Sequence, residues 1–168
     1  ILTQESNLGS NVGQCYLTNP DTGGGVGKNT GTVFANVMHP TRDVPVFLNL
    51  MVDLGFNAFQ TSVSCAIAGV KGYGGAMGPA QFIPSTWKIF TDRLKTVLGH
   101  IANPWSPKDS FMASGMYLSD LGAIGNSASA QNKAACRYYG SGGSSCSYSK
   151  SVARLKSKIQ TDIDLLQN

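Results

Sequence analysis

Apolar positions recur three and four residues apart in five stretches of this chain, and no stretch alternates apolar with polar residues long enough to argue a substantial sheet. The first stretch begins at Asp43, a residue type that caps helices, with Pro45 near the first turn. Val44, Phe47, Leu48, Met51, Val52 and Leu54 then keep helical spacing up to Gly55. Ser85 is placed to cap a second helix carrying Trp87, Ile89, Phe90, Leu94, Val97 and Leu98, which stops at Gly99. Ser106-Pro107-Lys108-Asp109 has capping-box spacing with proline at the first helical position, and predicts a third helix through Phe111, Met112, Met116, Tyr117 and Leu118 to Gly122. An alanine-rich fourth helix is expected from Ser127 to Arg137. A last one, from Ser149 to about Leu166, has Val152, Leu155, Ile159, Ile163 and Leu166 on one face. The expected fold class is mainly α.

Two glycine-rich segments interrupt this pattern. Thr18 to Thr32 has almost no apolar content and five glycines, and reads as a long surface loop. Its Gly27-Lys28 fails as a phosphate loop, because Thr22 stands where the first glycine is required and Asn29 where Ser or Thr should bind magnesium. Gly69 to Gly78 is too glycine-dense for helix, so its backbone is expected to come close to another helix or a ligand.

At 168 residues the chain suits a single domain, 1–168, able to bury its own core without metal or oligomer support, and a monomer is expected. The net charge of +4 arises from 13 basic and 9 acidic residues with no long run of Lys or Arg, which argues against nucleic acid as a partner. A mild positive balance suits residence near an anionic polymer such as bacterial cell wall.

Cys15, Cys65, Cys136 and Cys146 form no CxxC pair and have no nearby His to complete a zinc site, so a disulfide framework is the better reading, buried thiols being the alternative. Of the three pairings, Cys136 with Cys146 is favoured because the loop between them is short and rich in Gly and Ser, which leaves Cys15 for Cys65. Paired cysteines imply a periplasmic, cell-envelope or secreted location. No stretch approaches the roughly 20 apolar residues that span a bilayer. The opening Ile1-Leu2-Thr3-Gln4-Glu5 reads as the tail of a helix whose beginning, with a signal or anchor, lies upstream.

Glu5 is the only glutamate. Asp43 and Asp109 are explained as helix-start residues, and Asp21, Asp53, Asp92, Asp120, Asp162 and Asp164 as solvated charges. His39 and His100 lack partners at metal spacing and receive no role; no metal or cofactor is expected.

Gln4-Glu5-Ser6-Asn7-Leu8-Gly9 resembles the Glu-Ser motif of lytic transglycosylases and goose-type lysozymes, whose glutamate is the catalytic acid. Gly75-Ala76-Met77-Gly78-Pro79-Ala80-Gln81-Phe82-Ile83-Pro84-Ser85 is similar to the superfamily's second motif, most like the membrane-bound B branch. Asn103 to Asp109 with Gly115-Met116-Tyr117-Leu118 resembles the third block, and Ala134 to Gly140 with Tyr148 to Val152 the fourth. Tyr139 stands where the family usually has Asn, and Gly72 where some members have a polar residue.

The resemblance implies a lysozyme-like helical domain with an irregular glycine-rich groove segment. It would cleave the MurNAc-GlcNAc β-1,4 bond of peptidoglycan strands with formation of 1,6-anhydromuramic ends. Glu5 is then the single acid and base, and Ser6, Tyr73, Met77, Gly78, Gln81, Tyr117 and Tyr138 are implied substrate-binding residues, with Trp105 a further candidate for sugar stacking. Protonating a leaving oxygen near neutral pH calls for a carboxyl group whose pKa is raised by partial burial, for which Tyr73, Met77 and Phe82 are the expected neighbours. No aspartate presents itself as the second carboxylate of an ordinary glycosidase, which suits assistance by the substrate's own acetamido group. A hydrolytic goose-type lysozyme and an inactive glycan-binding module are the competing expectations.

Overall fold

The computed structural model of the chain describes residues 1–125 and 127–167. Its elements run α1 (Leu2–Ser6), β1 (Cys15–Asn19), β2 (Gly24–Gly27), β3 (Val33–Phe34), α2 (Val44–Leu54), α3 (Pro84–Lys88), α4 (Thr91–Leu98), α5 (Pro107–Asp120), α6 (Ala128–Tyr138) and α7 (Ser147–Gln167). Helix makes up 45% of the chain against one small sheet, so the class is mainly α. The chain divides into two compact units, one of Leu2 with Gln4–Ala113 and one of Ser114–Asn168 with Ile1 and Thr3.

In the larger unit, α2 buries Val44, Phe47, Leu50 and Met51, while Val52, expected in the core, is 80% exposed. Asp43 stands at the N-terminal end of α2 but does not cap it with its side chain, which makes no hydrogen bond to that helix. The carboxylate is fully buried, accepts the Ser85 backbone N–H at 3.1 Å and is held by the Arg42 guanidinium at 2.7 and 2.9 Å. Ser85 is therefore not a cap either. It lies inside α3, which starts at Pro84 behind Ile83.

The single helix expected from Ser85 to Leu98 is broken into α3 and α4. Ile89 N–H donates to Thr86 and Phe90 N–H to Trp87, both i to i−3 bonds, and this tighter turn brings Trp87 and Phe90 into one core. Phe82 packs between them, with ring centroids 5.8 Å from Trp87 and 6.0 Å from Phe90.

The expected surface loop from Thr18 to Thr32 instead holds β2 and the end of β1 in an antiparallel sheet of order β1-β2-β3, with Cys15 opposite Gly27 and Leu17 opposite Gly25. Glycine is rare in strands, so the pattern hid β2. The structure shows why glycine is needed there: a Cβ on Gly25 would sit 2.0 Å from the Tyr16 carbonyl oxygen.

The start of α5 is organised by a second buried aspartate. Asp109 is 3% exposed, and its carboxylate accepts the Asn103 N–H at 2.9 Å and meets His100 Nε2 at 3.1 Å, while its own N–H donates to Ser106 Oγ. The capping box is thus only half formed, and His100 does have a structural partner. Burial alone would push the Asp109 carboxyl up; the Asn103 N–H, the bond and charge of His100 and the Ser106 contact outweigh it and hold it below its ordinary value.

In the smaller unit, Ser127 caps α6 through the Ala130 N–H, and α7 buries Tyr148 and Ser149. The apolar face expected on α7 is covered only at its start: Val152 and Leu155 are half-buried, whereas Ile159, Ile163 and Leu166 are exposed. Each unit holds one disulfide, Cys15–Cys65 in the larger and Cys136–Cys146 in the smaller, which are the favoured pairings and fit an oxidising environment. No described helix is long and apolar enough to cross a membrane.

Two outcomes follow from this arrangement. The disulfides close spans of 50 and 10 residues, worth about 4 and about 3 kcal/mol in the chain-entropy model. Reductant should therefore lower the melting temperature, and an unchanged melt would contradict the framework. Because the folded carboxyl of Asp109 is depressed, its contribution is fully present above the unfolded pKa and lost as pH falls through the folded one. The stability gap between wild type and Asp109→Asn should be widest near neutrality and shrink below about pH 4. Urea melts across that range measure it.

Candidate functional site

Glu5 is the penultimate residue of α1 and half-buried; the chain turns sharply just after it. Asn7 and Leu8 both adopt left-handed backbone, with φ of 52° and 57°. Such residues cost about 1–2 kcal/mol each, and the turn is held by bonds from Leu8 N–H to the Leu2 carbonyl and from Asn11 N–H to the Ser6 carbonyl. Paired non-glycine strain beside a carboxylic acid is what a site that fixes a side chain would show.

The turn is anchored by Ser6. Its buried hydroxyl accepts the Gly9 N–H at 2.9 Å and donates to the Pro79 carbonyl at 2.7 Å, with the Leu2 carbonyl farther away at 3.2 Å. The residue after the acid is thus bonded directly to the Met77-Gly78-Pro79 segment, 73 positions along the chain.

That segment is itself built tightly. Met77 N–H donates to the Phe82 carbonyl, and Gln81, at a φ of 54°, donates through both its backbone N–H and its Nε2 to the Gly78 carbonyl. Gly78 has a φ of 60°, and a Cβ there would lie 1.8 Å from the Pro104 carbonyl oxygen. The glycine-rich stretch therefore approaches the loop before α5 at Gly78, where another helix was one expectation. On its other side Ser64 holds it: Ser64 N–H donates to the Ala76 carbonyl, and Ser64 Oγ accepts the Ala76 N–H at 2.9 Å.

Of the residues singled out from sequence, Glu5, Ser6, Tyr73, Met77, Gly78 and Gln81 share the larger unit. Ser6, Met77 and Gly78 are buried, Glu5 and Gln81 are half-buried and Tyr73 is 46% exposed. Trp105 is half-buried, its indole N–H donating to the Ser62 carbonyl and its ring facing Phe47 and Phe56, so it is mainly a packing residue. In the smaller unit Tyr117 packs on Tyr138 at 5.1 Å, and the Tyr138 hydroxyl lies 3.2 Å from Ser114 Oγ. Tyr139 is exposed and stacks on Tyr148.

Ser64 and Pro104 meet the glycine-rich segment without having been assigned a role of their own. Nothing local marks Ser64 or His39, while Pro104 lies inside the third motif block. Two cavities, of about 330 Å³ beside Trp87 and about 450 Å³ between α6 and α7, include none of the expected site residues. Among the described residues no three His, Cys, Asp or Glu side chains converge on a metal-sized space. No protein-family model, curated protein or solved structure matches this chain.

Ser6→Ala leaves the Pro79 carbonyl and the Gly9 N–H without their partner and should cost about 1–3 kcal/mol. Gly78→Ala combines a left-handed backbone with a clash against backbone and should cost more than about 2 kcal/mol. Denaturant melts of both give the check; a neutral Gly78→Ala would mean that Pro104 does not lie where the structure has it.

Proposed function

We propose that this chain is an extracytoplasmic peptidoglycan lytic transglycosylase of lysozyme-like fold, with Glu5 as its single acid and base. The observation that carries the reading is the buried bond from Ser6 Oγ to the Pro79 carbonyl. It joins the Glu-Ser turn to the Gly-Ala-Met-Gly segment, the two sequence motifs that resemble that family, although they stand more than seventy positions apart.

In this reading Glu5 protonates the leaving glycosidic oxygen as the bond to the anomeric carbon breaks, while the substrate's acetamido oxygen closes on that carbon. The Glu5 carboxylate then takes the proton of the muramic 6-hydroxyl, whose oxygen attacks the anomeric carbon and displaces the acetamido oxygen. One carboxyl group thus serves twice and no water is consumed. The aspartates support this economy: Asp43 and Asp109 are buried and bonded to backbone N–H groups of the larger unit, and neither is available to activate water. The two disulfides support a location outside the reducing cytosol.

Purified peptidoglycan digested with the protein should yield fragments ending in 1,6-anhydromuramic acid by mass spectrometry. Reducing ends would make it a hydrolytic lysozyme, and intact strands would end the enzymatic reading. Glu5→Gln should keep the wild-type circular dichroism and lose at least about 10²- to 10⁴-fold in rate, the worth of general acid catalysis alone. Residual activity above about a tenth of wild type is incompatible with Glu5 as the acid.

A further inference from the structure

We infer that His39 is a positioning residue for glycan binding that acts through Tyr73; the inference rests on the glycan-cleaving reading above. The two rings are 4.7 Å apart at centroids and inclined at 45°. The orientation of His39 is set from the other side: Nδ1 accepts the Arg42 N–H at 3.3 Å, and the His39 carbonyl accepts the N–H groups of Asp43 and Val44 at the entry to α2.

Tyr73 is 46% exposed at the end of the loop that follows Cys65. The backbone on either side of it is clamped by one residue: the Asn36 side-chain amide donates to the Gly72 carbonyl, and the Gly74 N–H donates to the Asn36 carbonyl at 3.2 Å. Asn36 and His39 flank Val37 and Met38, both fully buried. One four-residue segment, anchored by two fully buried residues, therefore supplies the backbone clamp at one end and the ring support at the other.

A tyrosine ring held this way, supported on one side and open on the other, is suited to stack on the face of an N-acetylhexosamine. Fixing it beforehand removes rotamer freedom that binding would otherwise have to remove. His39 touches no reacting atom in this scheme, so its loss should weaken substrate binding and leave the chemical step alone.

Two substitutions separate the ring from the hydrogen bond. His39→Asn keeps an acceptor for the Arg42 N–H and removes the ring, whereas His39→Phe keeps a ring and removes the acceptor. On soluble glycan strands prepared by amidase treatment of peptidoglycan, His39→Asn should raise KM about three- to tenfold with kcat within about twofold. His39→Phe should restore KM to within about twofold of wild type. Tyr73→Ala should raise KM similarly, and the Tyr73→Ala, His39→Asn double variant should be no worse than Tyr73→Ala alone.

A wild-type KM in His39→Asn, an equal defect in His39→Phe, or a loss confined to kcat overturns the inference. If His39→Asn does not fold, His39→Leu takes its place as the ringless variant under the same criteria. A wild-type protein that cleaves no glycan overturns the glycan reading and this inference with it. An active wild type with an unaltered ringless variant overturns this inference alone.

Discussion

The hydroxyl of Ser6 is the point on which the arrangement around Glu5 depends. Buried away from water, it has one proton and lone pairs to place, and it places the proton on the Pro79 carbonyl while accepting the Gly9 N–H. An unmet bond at such a site costs far more than a met one contributes, so the turn after α1 and the Met77-Gly78-Pro79 segment are held in one register. The left-handed pair Asn7 and Leu8 is tolerated because this bond and the backbone bonds around it leave the chain no other path.

Around this node, the larger unit uses its buried charges for backbone. Asp43 and Asp109 each accept a main-chain N–H and each meets a cationic or proton-donating neighbour, Arg42 in one case and His100 in the other. Both carboxylates fix where a helix begins: Asp43 holds the first turn of α3 from the end of a different helix, and Asp109 ties the loop at Asn103 to the first turn of α5. The same loop brings the Pro104 carbonyl against Gly78. Helix placement and the backbone of the Met77-Gly78-Pro79 segment are therefore parts of one set of contacts.

The loops are treated differently from the helices. Where the chain has no regular structure, it is cross-linked or clamped: Cys65 to Cys15 at one end of the loop that carries Tyr73, Asn36 across its other end, and Cys136 to Cys146 between α6 and α7. Aromatic rings placed on such clamped segments lose little freedom on meeting a ligand.

How far each feature could be read in advance depended on whether its cause was local. Helical spacing, the Gly55 and Gly99 stops, the alanine-rich helix and the Cys136–Cys146 pairing were legible because they depend on neighbours along the chain. The motif residues Glu5, Ser6 and Gly75 to Ser85 were legible as a resemblance. The glycine strand β2 was not, since its reason is the Tyr16 carbonyl on another strand. Nor was the break between α3 and α4, which two aromatic side chains impose by packing on Phe82. Asp43 has the composition of a cap for α2, yet tertiary packing gave its carboxylate to α3, because the Ser85 N–H and the Arg42 guanidinium together satisfy a buried charge better than its own helix does. His39 and Ser64 carry no sequence signal at all; only the fold places one beside Tyr73 and the other beside Ala76. The sequence by itself determined most of the helical segments, because those follow from side-chain type and spacing. The tertiary structure decided which buried polar group meets which, because that choice is made among partners distant in the chain, by the cost of leaving any of them unpaired.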